Sequence, residues 1–265
     1  MELAILFWFY KEPDICENRL RLLRKYNPDI TVYGLFGGVQ EEADTYRKRL
    51  GKYLDDFYVS LETDPNRKWI HGDLMILEWF GSRGRNLKWD SIAIVQWDML
   101  VFTSLREYFS DMRGGEIFLS GLRMLDDEIE SRWNWTKSDG IERGNYLSFR
   151  DHISRRYGYA GDLLACLFIF EIFPRIFFER YLEVSDREVG MLEYKVPTYA
   201  KIFNIPFYKR NLGVWWFAPE AESGHIPLNA RGVEIPEAYI REELEKPGGY
   251  RIFHPYFELW PIESK

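Results

Sequence analysis

Apolar residues in the first part of the chain alternate between short unbroken runs and stretches in which they recur every three or four positions. Residues 3–10 (LAILFWFY) form a continuous apolar run, the pattern of a strand buried on both faces. Lys11-Glu12-Pro13 ends it. Asp14 then opens a helix, with Glu17 three residues on as a capping-box partner, and Cys16, Leu20, Leu23 and Tyr26 fall on one helical face. Asn27-Pro28-Asp29 stops that helix. The pattern continues with a strand over 30–36, a helix over 41–54 (Ala43, Tyr46, Leu50 and Tyr53 inward), a strand over 57–61, a turn at 63–66, a helix over 70–80 and a strand over 91–95. Three strand–helix alternations before a fourth strand imply right-handed crossovers and a parallel sheet.

The second half is less regular. It predicts a short helix over 103–112, a strand over 116–124, a polar loop or mobile insertion over 126–144, and a helix over 145–157. A buried strand or helix start over 163–170 follows, then helices over 174–182 and 189–203, the last interrupted by Pro197. Glu171 continues the apolar run 163–170 and needs a partner if buried; Arg175, four residues on, is the helical choice. Seven of the 12 prolines lie beyond residue 205, which predicts a long tail wrapped over the sheet rather than an independent domain.

Composition narrows the function. A net charge of −7 and a pI near 5.3 argue against a protein that coats nucleic acid, which needs a basic face. Cys16 and Cys166 make neither a disulfide framework nor a zinc cluster, and the four histidines show no HExxH or HxH spacing. No apolar run reaches the length of a membrane span, and the opening run is too short for a signal peptide, so a soluble, cytoplasmic protein is expected, with peripheral membrane contact through segment 163–182 left open. Aromatics are 17% of the chain. Most suit a core; Trp133 and Trp135, set in an otherwise polar stretch, suit sugar or base stacking.

The chemistry concentrates at residues 90–102 (DSIAIVQWDMLVF), where an apolar strand ends on Gln96-Trp97-Asp98. Open α/β sheets bind ligands at the carboxyl ends of their strands. There is no GxGxxG and no GxxxxGK[ST] motif, so a nucleotide here would be held without a glycine cradle, as a metal-bridged diphosphate is. Asp98 is the leading metal-ligand candidate, against a plain strand-end or N-cap acid. His254 is a candidate second ligand, against a packed tail histidine, with His225 a weaker competitor. Phe9, Tyr10 and Lys11 at the end of the first strand are candidates to stack on or hydrogen-bond a base or ribose, with Trp97 beside them. Asp73 is either such an acceptor or a helix N-terminal acid.

On these residues the chain resembles the GT-A fold of nucleotide-sugar glycosyltransferases. LAILFWFYKEPDICENRLRLLRKYNPDITVYGLFGG is similar to their opening strand–helix–strand. SIAIVQWDMLVF resembles the strand leading to their DxD motif, with Gln96 where the first carboxylate stands. EVGMLEYKVPTYAKIFNIPF resembles the acceptor-side helix that carries a catalytic carboxylate in inverting members, and FHPY the late histidine that some members use as a metal ligand. The resemblance implies an α/β, GT-A-like (Rossmann-related) domain over residues 1–265. Its mixed, mostly parallel sheet would be flanked by helices, with residues 1–112 as the nucleotide-binding half and 113–265 as the acceptor half and C-terminal wrap. It further implies a nucleotide-sugar donor, a carbohydrate or lipid-linked acceptor, and Mn²⁺ or Mg²⁺ at Asp98. Inverting transfer needs a carboxylate base, for which Glu193 and Asp162 lead and Glu188 follows. The alternatives are a sugar-nucleotide pyrophosphorylase, which would carry a glycine-rich basic loop where Lys11-Glu12-Pro13 stands, and a non-catalytic carbohydrate- or partner-binding α/β protein.

Overall fold

In the computed structural model, which describes residues 1–262, the elements follow one another as β1 (Leu3–Phe9), α1 (Pro13–Tyr26), β2 (Val32–Phe36), α2 (Ala43–Leu50), β3 (Asp56–Val59), α3 (Pro65–Ile70), α4 (Gly72–Ser82), β4 (Ser91–Gln96), β5 (Leu100–Val101), α5 (Leu105–Tyr108), β6 (Phe118–Leu119), β7 (Arg123–Met124), α6 (Asp127–Arg132), α7 (Arg143–Tyr157), β8 (Leu164–Ala165), β9 (Glu171–Pro174), α8 (Arg175–Tyr181), α9 (Leu192–Ile202), α10 (Glu237–Glu245) and β10 (Ile252–Phe253). Six strands form one sheet in the order β3-β2-β1-β4-β9-β6. The first four are parallel, and β9 runs antiparallel to both of its neighbours. This is a mixed, mostly parallel sheet, as expected.

β1 is buried at every position because it has a strand on each side and helices on both faces. Its residues alternate between two cores, as strand geometry requires. Ala4, Leu6 and Trp8 pack with α4, α8 and α9. Leu3, Ile5, Phe7 and Phe9 pack with α1 and α2 on the other face. The chain winds outward from β1 through β2 to β3, then crosses back to place β4 on β1's opposite side. The β1–β4 boundary is therefore a topological switch point, where the two strand ends leave a crevice.

The tail returns to this crevice. β10 pairs with β5 just beyond β4, and a third core gathers Leu22 of α1 with Phe102, Ile240, Phe253, Tyr256 and Trp260. Fully buried Arg19 fastens the tail by donating to the carbonyls of Tyr256 and Glu258, at 2.8 and 2.7 Å. Among the described residues no helix is long and apolar enough to cross a membrane.

Several local expectations are corrected. The Asp14–Glu17 capping box does not form; α1 starts after Glu12 with no side-chain cap, and Glu17 pairs with Arg49 and Lys52 instead. The strand expected over 116–124 is cut in two by a turn at Gly121, whose φ of +65° suits glycine. The polar stretch 126–144 is not a loop throughout: Asp126 caps α6 by accepting from the Ile129 amide at 3.0 Å. Thr63–Asn66 was read as a turn, but α3 begins at Pro65. Glu171 lies in a strand rather than a helix, so it does not meet Arg175, which donates to the carbonyls of Trp89, Arg85 and Leu87.

Candidate active site

The switch-point crevice opens into a cleft of about 1210 Å³. Tyr10, just past β1, and Gln96, at the end of β4, lie on one side. Glu193 and Leu192 of α9 contribute a second part of the wall, and residues 133–142 and 215–217 supply aromatic and polar side chains around them.

Asp98 sits past the end of β4, where Tyr256 donates its amide to the Asp98 carbonyl at 2.9 Å. The carboxylate is mostly buried, and its Oδ1 has no hydrogen-bond partner. His254 arrives from the tail just after β10. Its backbone is tied to residues 227–229 by hydrogen bonds from the His254 amide to Pro227 and from the Asn229 amide to His254. The ring Nδ1 lies 3.2 Å from the Asn229 carbonyl. A carbonyl only accepts, so Nδ1 donates to it, and Nε2 faces Asp98 Oδ1 at 3.5 Å. The two side chains make a His–Asp pair that does not line the cleft, and among the described residues no cluster of three or more His, Cys, Asp or Glu could hold a metal; any divalent cation held by this pair would need water and substrate phosphates to complete its shell.

Gln96, in the place of the motif's first carboxylate, uses its side-chain amide to donate to the Phe168 and Ile169 carbonyls, at 3.3 and 3.1 Å. It therefore joins β4 to the segment before β9 rather than facing a ligand. Trp97 is almost fully buried, stacked on Phe257 with centroids 5.9 Å apart. Tyr10 meets its edge at 5.9 Å, and the Lys11 ammonium lies 4.7 Å from its ring centre. Tyr10 and Lys11 are thus the accessible members of this group. Phe9 has no exposed surface; it packs among Phe7, Phe36, Tyr46 and Phe57 and presents nothing to the cleft.

Asp73 does not line the cleft; it is an acid in the first turn of α4, as the alternative reading had it, though His71 and not Asp73 stands at the N-cap. It is buried in α4, 3.0 Å from the Lys195 ammonium of α9, and accepts from the Tyr181 hydroxyl. Lys195 is fully buried, also donates to the Arg187 carbonyl at 2.8 Å, and lies 3.4 Å from His71 Nδ1. Burial pulls the Lys195 pKa down, against the attraction of Asp73.

Glu193 opens α9 and keeps some surface toward the cleft, while its carboxyl is closely surrounded. Oε1 accepts from the Phe168 amide at 2.9 Å, and the Trp135 indole lies near the carboxyl. Burial outweighs both and pushes the pKa up to about 7. A carboxyl group that titrates near neutrality in a cleft has the properties of a general base. The other two base candidates do not line the cleft. Asp162 is exposed on a bend; Glu188 is exposed and paired with Arg67 at 2.6 Å. His225 is exposed beside Ser223.

The sequence reading missed the buried Asp73–Lys195 pair, the Asn229 carbonyl that fixes His254, and the cleft positions of Trp69 and Trp215. Only the Trp215-Trp216-Phe217 run carried a visible signal.

No protein-family model matches the chain, and no curated protein matches it by sequence. Among solved structures, mouse xyloside xylosyltransferase 1 in its apo form is similar with a TM-score of 0.46 at 11% identity, over 99% of this chain and 100% of that one. Galactosyltransferase LgtC with donor and acceptor sugar analogs gives 0.48 at 10% identity, over 96% and 86%. A cytidylyltransferase from Leptospira borgpetersenii gives 0.42 at 13% identity, over 80% and 76%. Likenesses this distant say nothing of what the chain acts on.

Proposed function

We propose that this chain is a glycosyltransferase that moves a sugar from a nucleotide donor to a carbohydrate or lipid-linked acceptor. The observation that carries the reading is the convergence of Asp98 and His254 just past the switch point between β1 and β4, where a carboxylate oxygen without a hydrogen bond faces a ring nitrogen at 3.5 Å. Asp98 and His254 would hold Mg²⁺ or Mn²⁺, which when bound neutralises charge on the leaving nucleoside diphosphate. Tyr10 offers a ring face and a hydroxyl to the base or ribose, and Lys11 adds positive charge beside the diphosphate. Glu193 takes the proton from the attacking acceptor hydroxyl, a task suited to a base with a pKa near the working pH.

The test is thermal stability with UDP, GDP, CDP and TDP, each with and without Mn²⁺. A ligand at about 100 times its dissociation constant adds about 2.7 kcal/mol to stability, a clear shift in the melting curve. A metal-dependent shift with at least one nucleotide is expected; no shift with any of them sinks the reading.

A further inference from the structure

The cleft is larger than one nucleotide-sugar needs. Pockets for single small ligands run to roughly 1000 Å³, whereas this one holds about 1210 Å³. The additional wall is aromatic. Trp69 of α3 and Trp135, after α6, meet edge to face at 4.8 Å. Both rings line the same cleft as Glu193, with Trp135 near its carboxyl, so this pair extends the wall beyond the proposed base. Trp133 and Trp216 form a second pair at 5.1 Å, fixed by the Trp216 indole donating to the Gly121 carbonyl at 2.7 Å, and Trp215 follows. Trp69 is 67% exposed and Trp215 43%, unusual for residues whose rings repay burial.

Three of the four cations of the same cleft already have an acidic partner. Arg132 pairs with Glu128 at 2.9 Å and lies 4.1 Å over the Phe217 ring. Lys137 pairs with Asp139 at 3.7 Å and Arg231 with Glu222 at 2.8 Å. Lys68 donates to the Gly37 carbonyl. A polyanion or an anionic membrane would have to compete with these partners. A ligand with apolar C–H faces and neutral hydroxyl edges would not, and such a ligand matches exposed indoles.

Building on the glycosyltransferase reading, we propose that the acceptor is a neutral oligosaccharide of several units, whose reacting end lies at Glu193 and whose further units stack along Trp135 and Trp69, with Trp215 a second contact. The wall then recognises a growing or pre-formed glycan rather than a single sugar.

Isothermal titration calorimetry on the full chain tests this, using mono- and tetrasaccharides of glucose, galactose, mannose and N-acetylglucosamine, with phosphatidylserine vesicles as a contrasting probe. In at least one series the tetrasaccharide should bind about tenfold or more tightly than the monosaccharide. Trp69→Ala or Trp215→Ala should remove about tenfold of that affinity, the worth of roughly one stacked ring. Trp69→Phe, which keeps a ring, should recover most of it. Both side chains are substantially exposed, so the fold survives the changes. The inference is overturned by tetrasaccharides that bind no more tightly than monosaccharides, by variants that bind as the parent does, or by vesicle binding that depends on these tryptophans without any sugar binding. A parent protein that binds a nucleotide but no oligosaccharide refutes this inference alone; one that binds oligosaccharide but no nucleotide refutes the donor assignment alone.

Discussion

His254 Nε2 faces Asp98 Oδ1 at 3.5 Å, although one residue follows the fourth strand of the sheet and the other belongs to the C-terminal tail. The separation is long for a hydrogen bond, and a cation shared by the two atoms would take the place of this direct ion pair. Asp98→Asn should therefore abolish Mn²⁺-dependent nucleotide binding, and His254→Ala should weaken it by about ten- to a hundredfold, the range seen when support for a metal site is lost. Calorimetry of UDP binding with and without Mn²⁺ reads both. Asp98 holds Tyr256 through its backbone carbonyl, so Asp98→Asn leaves the tail docked. Metal-dependent binding that persists in Asp98→Asn removes the residue from this role.

With Glu193 as the proposed base, activity should rise with pH. A base must be deprotonated to work, so kcat/KM should climb through about pH 7 and level off above it. Glu193→Gln should lower kcat by about a hundred- to ten-thousandfold. The same raised pKa has the opposite effect on stability. Folding lifts the carboxyl from the ordinary 4.5 to about 7. Between these values the folded state keeps a proton that the unfolded state releases, so stability falls as pH rises from 4.5 to 7 and is flat beyond. Urea denaturation at pH 5 and pH 8 should show a smaller pH dependence in Glu193→Gln than in the parent. An equal dependence in both places the titration elsewhere.

The parts legible in the sequence are those with a local signal. Unbroken apolar runs marked the parallel strands, and their alternation with periodic stretches gave the sheet. The Gln96-Trp97-Asp98 strand end and Phe253-His254-Pro255 were each singled out from their own neighbours, and the fold brings Asp98 and His254 together. What stayed hidden depends on contacts between distant segments or on ambiguous short runs. Residues 163–174 are apolar in a way that suits strand or helix alike, which is why Glu171 was given a helical partner it does not have. α6 is short and acidic, with one buried residue, Ile129, too few for a periodic signal. Asp73 carries the marks of a helix N-terminal acid, and nothing local says that Lys195 will arrive beside it.

The Asp73–Lys195 pair also sets a stability test. Both side chains are out of water, so removing one strands the other's charge. Lys195→Met should cost about 3–5 kcal/mol, and Asp73→Leu should also destabilise, because Lys195 would then have no anionic partner at contact distance. The double variant Asp73→Leu with Lys195→Met should recover much of the loss, since no buried charge remains. Equilibrium urea unfolding of the two single variants and the double variant gives the coupling. Additive losses would mean that the two charges do not depend on each other.

Glu171 is fully buried in β9, and neither carboxyl oxygen makes a well-formed hydrogen bond, although the Ile169 amide and the Ser120 hydroxyl lie nearby. Burial first, and then the neighbouring Glu193, hold its pKa well above the ordinary carboxyl value. The folded protein therefore keeps this acid protonated at pH values where the unfolded chain ionises it, and the cost to stability grows as pH rises above 4.5. Glu171→Met, an apolar side chain of similar length, should stabilise the protein by about 1–3 kcal/mol, the cost of an unsatisfied buried polar group. The gain should be larger at pH 8 than at pH 5. Denaturation at the two pH values decides it: a variant less stable than the parent at both would mean that Glu171 has a polar partner whose loss outweighs the burial of its carboxyl group.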